Sequence, residues 1–325
     1  MNRLVRPPRG LGRALRVGFL VVALVLLLLV LREQGPQARE ALRSIGAGAA
    51  VASGLAVLAG LLASALVWRA LLADLGTPLP LRAALHVFFV GQLGKYVPGS
   101  VFAVAAQMEL GRAHGASRSR VGTASLLFMG VLVAAGLLSA AVALPLTSPA
   151  ALRSYAWVLL VLPVGLALLA PPVLTRLVGA LLRVLRRDPL ERPLSLRGVA
   201  TALGWGLAMW AAYGVHLWLL VRTLDTGTGT SVLLLSVGAY ALAWTAGFLF
   251  VVAPAGAGVR EVALVAALAP VLDRAGALAV AVLSRVLMTL GDLVWAALAA
   301  AGTAGRALRA PVSPEVQPRD RAADA

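Results

Sequence analysis

The sequence predicts an all-α polytopic membrane protein of two inverted repeats, each with three membrane spans and one re-entrant helical hairpin. Three observations predict it. Hydrophobic residues make up 60% of the chain and the mean hydropathy is +0.91, with several apolar runs long enough to cross a bilayer core. Two of the hydrophobic stretches are broken by clusters of glycine, proline and cations, Gly91 to Ser100 and Pro254 to Glu261. The order span, span, broken hairpin, span occurs twice, with Pro98 and Pro254 lying 156 residues apart.

The net charge of +16 comes from arginines set between apolar segments, with Lys95 the only lysine. That distribution is a topology signal and a contact for anionic headgroups, and it argues against nucleic-acid binding. The absence of cysteine excludes disulfides, thiolate metal sites and cysteine nucleophiles.

Taken in order, residues 1–16 form a basic N-terminus, since Arg3, Arg6, Arg9, Arg13 and Arg16 precede the run Val17 to Leu31 with no acidic residue before Glu33. This places the N-terminus in the cytoplasm. Arg32-Glu33-Gln34-Gly35-Pro36 follows without a small-x-small cleavage site, so the first helix is expected to be retained. Ile45 to Trp68 is a charge-free span. Leu81 to Tyr96 and Pro98 to Leu110 are expected to form the first hairpin, the alternative being one helix kinked at proline. Val121 to Leu144 completes repeat one, residues 17–144.

Repeat two, residues 155–301, begins with the span Tyr155 to Thr175 and a basic loop from Arg176 to Arg197. Gly198 to Val221 and Ser231 to Ala253 follow, then the Pro254 cluster, a helix to Leu272 and a final helix, Ala275 to Ala301. Residues 302–325 read as a disordered cytoplasmic tail. Three crossings per repeat invert the second half and keep the basic loop and tail inside, as expected for a multi-pass protein of the plasma membrane with both termini cytoplasmic.

The hairpin tips carry the candidate chemistry. A helix starting at Pro98 or Gly256 leaves its first amides unpaired and aims its positive dipole end at the break, a site for phosphate. Lys95 and Arg260 add cations at matching positions and are expected to face one another across a central cavity. Tyr96, Gly99, Ser100, Gly258 and Glu261 line the tips, and Gly94 allows close backbone approach. The alternative is that both cations snorkel from shallow hairpins. Arg285 and Asp292 lie seven residues apart on one helical face inside the last span, with Glu261 or Glu109 as possible partners. Glu109 can instead answer Lys95 or Arg112. His216, within a span, reads as a helix-to-helix hydrogen bond.

Gly94-Lys95-Tyr96-Val97-Pro98-Gly99, followed by Glu109 and Gly115, and Pro254-Ala255-Gly256-Ala257-Gly258-Val259-Arg260-Glu261 resemble the two signature stretches of the lysylphosphatidylglycerol synthase transmembrane region family, the flippase-like domain. The resemblance runs from the first helix to the last. It implies an inner-membrane domain that moves or presents an amphiphilic lipid, in some members an aminoacylated phosphatidylglycerol. No soluble synthase domain follows in this chain, so lipid synthesis by it is not expected.

The expected ligand is an anionic lipid or lipid-linked headgroup, with no cofactor, and with a lipid-synthesising enzyme as a possible partner. Two other classes stand beside this. One is a polyprenol-dependent glycosyltransferase or lipid-modifying enzyme, although HExxH, paired aspartates and a serine nucleophile elbow are all missing. The other is a non-transporting membrane partner of such an enzyme.

Overall fold

The computed structural model describes residues 39–97, 101–149, 152–153, 159–184, 186, 189–224, 229–249 and 258–307. The expected first span Val17 to Leu31, the Tyr155 end of the expected span Tyr155 to Thr175, Pro98 to Ser100, Pro254 to Ala257 and residues 308–325 lie outside them. Among the described residues there is no strand. The helices are α1 (Ala47–Asp74), α2 (Leu81–Gln92), α3 (Val101–Arg112), α4 (Arg118–Ala143), α5 (Val161–Leu169), α6 (Pro171–Val184), α7 (Leu196–Val221), α8 (Thr230–Leu249), α9 (Val259–Leu268) and α10 (Arg274–Ala307).

Helices α1, α4, α7, α8 and α10 are long and apolar enough to cross a membrane. They pack through small residues, because helices in lipid gain little from apolar burial and depend on close contact. Gly60 of α1 lies under the ring of Tyr213 on α7, and Gly291 of α10 seats against Val57 and Leu61 of α1. His216 on α7 bridges two neighbours. Its Nδ1 is 2.6 Å from Ser53 Oγ on α1 and its Nε2 is 2.8 Å from Ser284 Oγ on α10, the helix-to-helix role its position predicts.

One end of the bundle collects the arginine-rich connections. Ser117 and Ser195 cap α4 and α7, accepting from the amides of Arg120 and Gly198. Asp74 at the end of α1 accepts from the amide and hydroxyl of Ser195 at 2.9 and 2.6 Å. Arg120 pairs with Glu191, and Arg192 donates to Ala73 O at 3.0 Å. At the opposite end Leu144 packs against Gly238 of α8, and Leu224 after α7 lies near Gly276 of α10.

Helices α2 and α3 fold back on one another, a hairpin rather than one kinked helix. A Cβ on Gly91 would meet the Gln107 side chain, and one on Gly94 would lie 2.6 Å from Ala103 N, so glycine permits the arms to touch. A buried polar chain holds the pair to the bundle: Trp68 Nε1 donates to Ser125 Oγ at 3.1 Å, and Ser125 donates to Gln107 Oε1 at 2.6 Å. Both arms open at the arginine-rich end, between Asp74 and Arg118. The α8–α9 pair opens at the opposite end, between Leu224 and Arg274.

Several expected boundaries move: α1 runs on to Asp74, and α10 continues to Ala307, into the stretch expected to be a disordered tail. The span expected to run straight to Thr175 bends by 68° after Leu169, because Pro171 and Pro172 lack the amides that would continue α5. Arg176 and Arg183, expected in a loop, therefore lie on α6. The helix expected to reach Leu272 ends at Leu268, two residues before Pro270.

Candidate functional site

Helix α10 organises the site. Arg285 and Asp292 lie two turns apart on it, roughly 10 Å by helical rise. Asp292 Oδ2 receives Lys95 Nζ at 2.6 Å and the Tyr96 hydroxyl at 2.6 Å, both from the short 3₁₀ turn Leu93–Tyr96 at the first hairpin tip. Two turns toward the N-terminus, Arg285 pairs with Glu261 in the first turn of α9. The other oxygen of Glu261 accepts the amide of Gly258 at 2.7 Å and caps the helix. Gly258 has φ 83°, a left-handed conformation that glycine takes without strain. Arg260 lies 4.7 Å from the Tyr240 ring centroid on α8 and donates to its hydroxyl.

The electrostatics do not balance. Among the described residues, Lys95, Arg260 and Arg285 meet two carboxylates, Asp292 and Glu261, and no carboxylate lies within ion-pair distance of Arg260. Arg285 is 8% exposed, yet its Nε is buried without a hydrogen-bond partner among the described residues. Charge inside a membrane bundle is costly unless paired and hydrogen-bonded. Among the described residues, a surplus cation and an unfilled guanidinium donor leave the charge and hydrogen bonding of the cluster unbalanced.

The structure brings together Lys95, Tyr96, Gly258, Arg260, Glu261, Arg285 and Asp292. Glu109 is elsewhere, at the arginine-rich end with Arg112 at 3.2 Å and with Arg118, so it does not answer Lys95. Gly99, Ser100 and Gly256 lie outside the described residues. Lys95 and Arg260 each have their own partner, and the two tips connect through α10.

Sequence reasoning missed Tyr240, Tyr213 and Thr289. Tyr240 and Tyr213 are buried with ring centroids 5.4 Å apart, and Thr289 is buried one turn before Asp292. A tyrosine in each of two charge-free spans was the available signal, because a phenol in lipid needs a partner.

An apolar cavity of about 750 Å³ lies between α4, α8 and α9, lined by residues that include Leu137, Leu144, Leu235, Leu242, Ala266 and Val271. Ala266 is six residues along α9 from Arg260, roughly 9 Å. Charge and oil thus lie within the length of one lipid.

No curated protein matches the chain with significant similarity. The family model described as the lysylphosphatidylglycerol synthase TM region matches residues 15–296. With both signature stretches inside that match, the chain belongs to the lysylphosphatidylglycerol synthase TM region family.

Proposed function

We propose that this protein binds an anionic amphiphilic lipid between two inverted halves and translocates or presents it across the plasma membrane, with both termini in the cytoplasm. The observation that carries this reading is the surplus cation, with Lys95, Arg260 and Arg285 gathered at two hairpin tips against two carboxylates. A lipid phosphate supplies the missing charge, bonds the vacant Arg285 donor and exchanges with Glu261 or Asp292 for their cations. The cavity between α4, α8 and α9 accepts acyl chain within reach of that headgroup. The opposite openings of the α2–α3 and α8–α9 pairs support inverted repeats, the arrangement of transporters whose site lies between two halves.

The test is translocation of fluorescently labelled phosphatidylglycerol in proteoliposomes. Lys95→Ala and Arg260→Ala are expected to insert normally and to lose translocation. Unchanged flipping in both variants would remove the headgroup site.

A further inference from the structure

We propose that α6 is a membrane-surface helix that docks on an anionic leaflet beside the bundle. It has 14 residues, roughly 21 Å, too short to cross a hydrocarbon core of about 30 Å. The 68° bend from α5 turns it away from the direction of the preceding segment. Its side chains fall on three faces. Leu174, Val178 and Leu182 are buried against the protein. Leu177, Leu181 and Val184, at 50%, 42% and 79% exposure, form a second apolar stripe beside the first. Arg176 and Arg183, seven residues apart, share the remaining polar face and are exposed.

The helix is held at the arginine-rich end, where Thr175 Oγ1 accepts the amide of Leu194 at 3.2 Å. Arg186, Arg192 and Arg197 are exposed around it, while the nearby carboxylate of Glu191 is taken by Arg120. An apolar stripe next to an arginine face, with exposed arginines outnumbering carboxylates among the described residues around it, is the pattern of a helix lying in the headgroup boundary of anionic lipid. As a span, α6 would carry two arginines into hydrocarbon. In water, it would leave three large apolar side chains uncovered.

The natural absence of cysteine makes the test direct. Leu177→Cys, Leu181→Cys, Val184→Cys, Arg176→Cys and Arg183→Cys are made in the full chain and reconstituted in vesicles of phosphatidylcholine with or without phosphatidylglycerol. The stripe positions are expected to react with a charged maleimide about tenfold more slowly than positions 176 and 183. Bimane on the stripe is expected to be quenched by shallow nitroxide lipids, more strongly when phosphatidylglycerol is present. Arg176→Gln with Arg183→Gln, in the Leu181→Cys background, is expected to remove that lipid dependence. Equal maleimide rates on all faces would place α6 in water, and strongest quenching by deep nitroxides would make it a span. Quenching that ignores phosphatidylglycerol would overturn the anionic preference.

Discussion

The two hairpin tips solve the same problem with opposite charges. At the first, the hairpin brings the cation, Lys95, and α10 brings the carboxylate, Asp292. At the second, the hairpin brings the carboxylate, Glu261, and α10 brings the cation, Arg285. Arg260 is the addition that breaks the symmetry, resting on the Tyr240 ring instead of an acid. The first tip is electrically closed, and the second keeps a charge to offer. On the proposed reading, the second tip is where a lipid headgroup docks, and α10 links it to the first.

Substitutions can break this comparison, and Arg260→Ala is expected to give the largest effect on headgroup binding. A charge-assisted contact to phosphate contributes about 2–3 kcal/mol, so headgroup affinity should fall by roughly 30- to 150-fold. The fold should hold, since among the described residues no carboxylate depends on Arg260. Lipid titration of the purified variant measures the first, and a thermal unfolding scan the second.

Next comes Asp292→Asn. Asp292 is nearly fully buried, and its loss strands Lys95 and weakens the Tyr96 bond, an expected destabilisation of about 3 kcal/mol. The double variant Lys95→Met, Asp292→Leu should recover much of that stability without recovering transport, as read by unfolding and flipping in parallel.

The gain in legibility along the chain explains where the sequence stopped short. Ile45 to Trp68, Val121 to Leu144 and Gly198 to Val221 are unbroken apolar runs, and span length alone marks them. The first hairpin was legible because Gly91, Gly94, Pro98 and Gly99 interrupt an apolar run in close succession. The pairing of Lys95 with Asp292 was not, because it joins residues 197 apart through the orientation of a helix whose rotation no local pattern fixes. The bend at Pro171 was written in two adjacent prolines but was masked by the apolar content on both sides. Tyr240 carries no charge, so it gave no mark of the arginine it holds.

A double-mutant cycle on Glu261 and Arg285 sharpens the second tip. Glu261→Gln keeps an acceptor for the Gly258 amide but loses the ion pair, so it should cost about 1–2 kcal/mol, less than Asp292→Asn. Chemical denaturation in detergent gives the coupling energy. A value near zero would mean that the second tip is held by the cap alone.

The smallest effect lies outside the membrane, at the end that anchors the bundle. Arg120, through its hydrogen bond and then its charge, holds the Glu191 carboxyl below its ordinary value of 4.5. A carboxyl lowered in the folded protein contributes stability above its unfolded value and loses it as the pH falls through the lowered one. The pair is solvent-exposed, so the contribution is small and salt-sensitive. Wild type should melt slightly above Glu191→Gln at pH 7, with the difference vanishing as acid protonates the carboxyl.

Native mass spectrometry of the purified protein tests the central claim most directly. Wild type is expected to retain one anionic phospholipid per chain. Arg260→Ala should lose that lipid and keep only the same background of zwitterionic lipid as wild type. Equal retention of the anionic lipid by both proteins would contradict a headgroup site at the second tip.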